Sequence, residues 1–375
     1  MATSDPGILV VGAGPVGLTA ALELARRGFE PRIIDDDAEP TPESRALGVN
    51  ARTLELLEPS GATERLLAQG LRLEGLVLRM GGDELTRVPL SDIPHRFNFM
   101  LSLPQSDTER LLIEALAERG VAIDWRTRLQ SLDIDQGKLT CRLEHEGSST
   151  SVHPASVIGA DGAHSMVRKG LGIGFAGESF PGEWGLADVH LADWPFPFNR
   201  VVLTLDRHQI CAFIPMAEGF GRFVTNHPDV LDRLPPEAKV KSVTWGSTFH
   251  ISFRQVSTYQ QDNAFLAGDA AHIHSPVGAR GMNLGVEDAC WLAWLMAEDR
   301  AQEYTALRHP AGRTVLDFTE QQTRQIVSRS LWADVFRRWL GPAILKVPAI
   351  RRGLLSRVAG LDTPPAPWLG ASGSS

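Results

Sequence analysis

The chain has 375 residues, 43% of them hydrophobic, which suits two domains that share an interface and bury a large core. Its formal net charge of −8 argues against a nucleic-acid binder, which needs a basic face to neutralise phosphates. Three widely spaced cysteines (Cys141, Cys211, Cys290) with no CxxC argue against disulfides or a zinc site, and point to a reducing cytoplasm.

The N-terminal stretch has no basic leader, and no window of about 18 apolar residues occurs, so no signal peptide or transmembrane helix is expected. "ILVVGAGPVGLTAALELARRG" reads instead as a buried strand, a tight turn and an amphipathic helix. Gly12 permits the turn, Gly14 lets backbone approach a pyrophosphate, and Gly17 lets helix pack on strand. Pro15 and Val16 complete the turn, whose free N–H groups face the anion. The next strand, "PRIID", ends in Asp35, placed to accept hydrogen bonds from an adenosine ribose. A dinucleotide is expected, and this motif alone leaves NAD and FAD open.

"ESRALGVNARTLELLEPSG" then sets Arg45 and Arg52 before a helix, as a solvated basic pair or with Arg45 on a cofactor phosphate. In "FNFMLSLPQSDTERLLIEAL" a strand leads to a helix. Ser106 and Glu109 read as a capping box, and Gln105 sits at the junction, within reach of a sugar hydroxyl or simply on the surface. "SVIGADGAHSMVRKGLG" is a strand running into Asp161-Gly162, followed by a helix with Arg168.

"AFLAGDAAHIHSPVGARGMNLGVEDA" is a second apolar strand, ending in Gly268-Asp269, whose loop through Pro276 feeds a helix from Met282. A nicotinamide dinucleotide needs one such turn. A flavin dinucleotide is longer and carries a ribityl chain, which Asp269 suits. The helix opening near Gly281 aims N–H groups at the flavin edge that becomes negative on reduction.

In this order, from about residue 7 to 296, these motifs resemble the single-component flavoprotein aromatic hydroxylases typified by 4-hydroxybenzoate hydroxylase. "RRGLLSRVAGLD" also looks like the usual end of such chains. The resemblance implies an α/β fold. A Rossmann-type FAD-binding domain (1–74, 105–174, 261–300) is interleaved with a mixed-sheet substrate domain (75–104, 175–260). A C-terminal helical region (301–362) and a disordered tail (363–375) follow. It implies FAD contacts at Gly12, Gly14, Pro15, Val16, Gly17, Asp35, Arg45, Gln105, Leu129, Asp161, Gly268, Asp269, Pro276, Gly281, Met282 and Asn283, with NAD(P)H as reductant. It further implies a C4a-hydroperoxyflavin that hydroxylates an aromatic or polyketide-like molecule with O2. The same fold serves Baeyer–Villiger oxidation, epoxidation or antibiotic inactivation, and a non-catalytic FAD protein is a further alternative. The WxWxIP element of flavin halogenases is absent. Many relatives carry Arg where this chain has His164, and Gly-Gly-Gln-Gly where it has "GARG". Arg280 would then hold a positive charge near the flavin, with Pro276 in the loop at the flavin face; alternatively, Arg280 caps a carbonyl or faces solvent.

Phe97, Phe99, Trp184, Phe213 and Pro215 are candidate walls for an aromatic substrate. No general base is assigned among His95, His190, His208, His250 and His274, and Tyr259 and Tyr304 are too few for a relay. The acidic run Asp35 to Asp37 leans the reductant towards NADH by repelling a 2′-phosphate. The basic, apolar stretch after residue 330 is expected to pack across the domains, broken by Pro342 and Pro348, rather than lie on a membrane. A homodimer is compatible with all of this.

Overall fold

Ile8–Val11, Pro31–Ile34, Ser156–Gly159 and Ala264–Leu266 are short runs with little exposure on either face. Such runs suit a parallel sheet covered by helices. In the computed structural model, which describes residues 5–41, 46–206, 209–328, 330 and 336–370, they form the heart of a six-stranded sheet. Ile8–Val11 lies in the middle, pairing in parallel with Ser156–Gly159 (Val11 opposite Gly159) and with Pro31–Ile34 (Val11 opposite Ile34). Ala264–Leu266 pairs in parallel outside Ser156–Gly159, and Ile123–Asp124 outside Pro31–Ile34. Because these strands run one way, the residues that follow them collect along one edge: Gly12, Asp35, Asp161 and Gly268. The carboxyl edge of an open parallel sheet is where such folds bind ligands.

Helices Pro15–Arg26, Gln105–Ala117 and Gly281–Ala297 pack together beside this sheet. The capping box expected at Ser106 does not form. Pro104 occupies the cap position with φ −51° and ψ 141°, so the helix starts at Gln105 and Ser106 falls inside its first turn. Glu109 instead accepts a hydrogen bond from Gln105 Nε2 at 2.9 Å.

A second, seven-stranded sheet runs in the order Lys239–Phe249, Trp184–Asp193, Phe220–Thr225, Gln209–Ala217, Arg200–Asp206, Gly75–Met80, Asp83–Pro89. It is mixed, since Arg200–Asp206 and Gly75–Met80 are parallel and the other pairs antiparallel. Period-two alternation splits its side chains between two faces. Val77, Val202, Cys211, Phe213 and Phe223 share one face with Trp194. Leu76, Val201 and Ile214 lie on the other, packed towards Met100 and Ala279.

Two small sheets stitch the halves together. Gly48–Val49 and Leu71–Leu73 flank Met100–Ser102, and Ser252–Val256 lies between Phe175–Ser179 and His272–Ile273. Both straddle the domain boundaries drawn from the sequence.

After helix Tyr304–Val327 come helices Gly341–Leu345 and Pro348–Val358. Pro342 and Pro348 stand in the first turns of these two, so they start helices as much as they break them. Leu355 and Ala359 pack with Ala51, Leu73, Leu90 and Met100. The frayed tail expected from residue 363 is ordered through Gly370. Thr363 hydrogen-bonds Glu287, Ala366 is buried, and the Trp368 ring meets Trp291 at 5.3 Å. The apolar surface of that indole outweighs the Pro/Gly/Ser composition that suggested disorder. Residues 371–375 lie outside the described residues. All three cysteines are buried, and burial pushes the Cys141 and Cys211 thiols up to about 12. Among the described residues no helix is long and apolar enough to cross a membrane.

Candidate active site

The first glycine turn is fixed by sterics. Gly12 has φ +101°, and a Cβ there would sit 2.5 Å from the Ala160 carbonyl oxygen. A Cβ on Gly17 would fall 1.9 Å from the Gly12 carbonyl oxygen. Gly14 differs, because a Cβ there would meet nothing within 4 Å: its open side faces away from protein atoms. It also occupies the cap of helix Pro15–Arg26 and offers no side chain to the first N–H groups. These are the conditions for an anion on a helix N-terminus. Asp35 closes the far side, accepting from Ala13 N at 2.5 Å and from Asp37 N at 2.9 Å.

Asp161 sits across from Gly12, at the edge of the strand that Gly12 touches. One carboxylate oxygen accepts from Met166 N (2.6 Å) and Val167 N (3.1 Å), capping helix Met166–Gly170 together with Ser165. The other oxygen is buried without a hydrogen-bond partner, and burial raises the carboxyl's pKa. Gln105 accepts from Ala46 N at 3.2 Å, so its amide ties the segment after residue 45 to the helix start. Burial pushes Glu109 up to about 7. Leu129 is a core side chain, which leaves only its backbone for a ligand.

The second turn touches the first. Gly268 has φ +60°, and a Cβ there would lie 2.8 Å from Val16 Cγ2; a Cβ on Gly285 would lie 2.5 Å from the same atom. Any side chain at either glycine would wedge the turns apart, so the two turns adjoin, and the sheet edge they share is the candidate crevice. Asp269 is exposed beside it. The loop from Pro276 folds back through Gly278 (φ +80°) and Ala279 (φ +54°) into helix Gly281–Ala297. Pro276 is exposed, while Gly281 and Met282 are half-buried at the helix start. Asn283 is not free for a cofactor, because its side chain is spent on backbone: it accepts from Asn50 N and donates to Gly48 O (2.8 Å) and Ala279 O (2.5 Å). It therefore locks the loop against residues 48–50.

Arg280 departs from the expectation of an unopposed charge. It is 1% exposed, and its guanidinium is paired with Asp362 (2.8 Å) and with the Arg357 carbonyl. The counter-charge comes from a residue 82 positions later in the chain.

A buried charge network behind the second turn was not singled out from the sequence. Asp288 accepts from His272 Nε2 (2.6 Å), Arg308 Nε (2.8 Å) and Gly268 N (3.4 Å), and Glu287 pairs with Arg308 at 2.7 Å. Asp288 is held low by Arg308 and His272 in spite of its burial. The signal was present as two adjacent acids inside an otherwise apolar helix, "GVEDACWLAWL". Burial, then His272 nearby, pushes His274 down to about 3, so it is neutral. His95 pairs with Glu55 and His190 stacks on Phe220, while His250 is exposed.

Of the five aromatic and proline wall candidates, Phe97 and Phe99 meet edge to face at 6.1 Å, and the others lie apart from them. Phe213 is 1% exposed in a closed cluster with Trp194 and Phe223, and Pro215 shares its parity on the strand. Trp184 packs in a separate cluster with Leu316 and Phe253. Phe99 is half-buried under Arg72, and Phe97 alone packs in the cluster that holds Ile214 and Ala279. Strand alternation accounts for Phe213 and Pro215: their neighbours Val201 and Ile214 take the face that packs towards the loop residue Ala279, while Trp184, on that same face further along, packs with Leu203 and Val224.

A family model described as "FAD binding domain" matches residues 6–238 and 226–329. The chain belongs to this FAD-binding family. It is similar to a 6-methylpretetramide 4-monooxygenase of Streptomyces rimosus, with 33% identity over 88% of this chain. The chain spans only 64% of that relative's length. A rifampicin monooxygenase of Streptomyces venezuelae is 30% identical over 95% of this chain and 78% of its own. Among solved structures, an anhydrotetracycline hydroxylase from Streptomyces rimosus superposes with TM-score 0.80 at 29% identity, covering 96% of this chain and 76% of that one. A p-nitrophenol 4-monooxygenase from Pseudomonas putida gives TM-score 0.87 at 21% identity over 97% and 100% of the chains, a likeness of fold.

The crevice fits the family's cofactor on three observations: the open side of Gly14, the exposed carboxylate of Asp269, and the unpartnered buried oxygen of Asp161. Arg45 and His208 lie outside the described residues.

Proposed function

We propose that the chain is an FAD-dependent monooxygenase that hydroxylates an aromatic, polyketide-like small molecule, using NAD(P)H and O2 in a reducing cytoplasm. FAD, when bound, accepts a hydride from the nicotinamide and supplies one oxygen atom of O2 to the substrate. The chain's own residues do the rest. Gly12, Gly14, Pro15, Val16 and Gly17 would take the pyrophosphate, and Asp35 the adenosine ribose. Asp161 and Asp269 would take the middle of the cofactor. Backbone N–H groups at Gly281 and Met282 would face the ring, with Pro276 over it.

One observation supports a multi-ring substrate. The half-buried residues Leu76, Val201, Leu203, Ala212, Ile214 and Val224 line one face across four neighbouring strands. At roughly 4.8 Å per strand spacing this stripe is about 14 Å wide, enough for fused aromatic rings. Being apolar, it also excludes water from the oxygen-transfer step. Directly opposite Ile214 on the same face stands the buried Arg222–Asp188 ion pair (2.6 Å), so the stripe ends at charged side chains.

The test is a panel of mono- and polycyclic phenols, scored for stimulated NADH and NADPH oxidation and for a product heavier by one oxygen. Stimulation by polycyclic phenols with oxygen incorporation is the expected result. Holoenzyme that oxidises NAD(P)H at one rate whatever is added, and gives no oxygenated product, overturns it.

A further inference from the structure

Residues 357–362 touch both segments that meet at the second glycine loop. Arg52 N donates to Ala359 O at 3.1 Å, and its Nε donates to Gly360 O at 3.4 Å. Asn50 Nδ2 donates to Val358 O at 3.5 Å, while Asn50 N donates to Asn283 of the loop's own helix at 2.9 Å. The Arg280–Asp362 pair completes the arrangement from the loop side. It is a partial fork: Arg280 Nε and Asp362 Oδ2 are buried without hydrogen-bond partners, where a full bidentate pair would use both. Arg280 also stands at the cap position of helix Gly281–Ala297 and offers no capping hydrogen bond, so the helix N–H groups stay open.

We propose that Asp362 is a positioning residue for the flavin. It cancels the charge of Arg280 and clasps the loop Pro276–Gly281 to the C-terminal turn, so that the helix N-terminus, not the guanidinium, sets the potential at the ring. This rests on the reading of the crevice as the FAD site. A positive charge near the ring favours the reduced, more negative cofactor and raises its midpoint potential. Removing Asp362 would uncover that charge, removing Arg280 would uncover a carboxylate, and removing both would restore neutrality.

The experiment is the midpoint potential of the FAD-bound wild type, Asp362→Asn, Arg280→Gln and the double variant, with the thermal midpoint of each apoprotein. Asp362→Asn is expected to shift the potential up and Arg280→Gln down. Each shift should be at least the about 30 mV that a tenfold change means for a two-electron couple. The double variant returns to the wild-type potential but melts lower, because the clasp is gone. Unmoved potentials in the single variants, a double variant that fails to return, or one that melts like wild type overturns the proposal. Should a single variant fail to hold FAD, the double variant decides alone, and its loss of FAD also counts against the proposal. Wild-type chain that takes up no FAD would instead sink the reading of the crevice itself.

Discussion

The carboxyl edge of the parallel sheet and the loop-facing side of the mixed sheet differ in what fixes them. At the edge, position is set by close backbone contacts, and the residue type is dictated by sterics: a Cβ at Gly12, Gly17, Gly268 or Gly285 collides. On the mixed sheet, position is set by register, and any apolar side chain of the right parity fits. Changes at the edge should therefore abolish the holoprotein, whereas changes on the sheet should redirect what it accepts.

The largest effect is expected from Gly17→Val. Its Cβ would be forced 1.9 Å from a backbone oxygen, and the strand–turn–helix cannot close. Loss of flavin absorbance and of a cooperative melt is the predicted outcome; a yellow, stable variant would erase the contrast. Next come the two neighbours on one strand. Phe213→Ala should cost about 3–5 kcal/mol in denaturant titration, because it opens a closed cluster, and leave the product unchanged. Ile214→Phe should cost little stability and change the ranking of substrates by KM. Equal effects at both positions would mean that the two faces are wrongly assigned.

Glu109 gives a pH arm. Its folded pKa, about 7, lies above the ordinary 4.5, so its ionisation costs stability as pH rises through that window. Glu109→Gln should therefore stabilise the apoprotein by something on the order of 2 kcal/mol at pH 8 and by little at pH 4. A pH-independent effect would show that packing, not charge, is what changed. The smallest expected effect is at Asp269. Asp269→Ala should weaken FAD binding roughly tenfold. Unchanged FAD affinity would remove Asp269 from the site.

The same contrast explains what was legible in the sequence. The crevice could be read because each motif is local: strand, glycine and acid follow one another within a few residues, as at Val11-Gly12 and Leu266-Gly268. The neutralised Arg280, the Asp288–Arg308 network and the docking of Trp368 were not legible, since each joins residues far apart in the chain. The wall residues failed for a different reason. Aromatic rings drew attention to Phe213, which takes the opposite face of its strand, and to Trp184, which takes the same face but packs with Leu316 and Phe253, and only the assembled sheet settles both. The capping box at Ser106 lost to a proline one position before the helix start, a competition visible in the sequence and underweighted.

The buried cysteines carry a practical consequence. Thiolate, not thiol, is the form that attacks peroxides, and Cys141, Cys211 and Cys290 are all held as shielded thiols by their surroundings. Hydrogen peroxide, added or formed in the proposed turnover, would find no ready thiolate to oxidise, which leaves exposed methionine such as Met166 as the accessible sulfur.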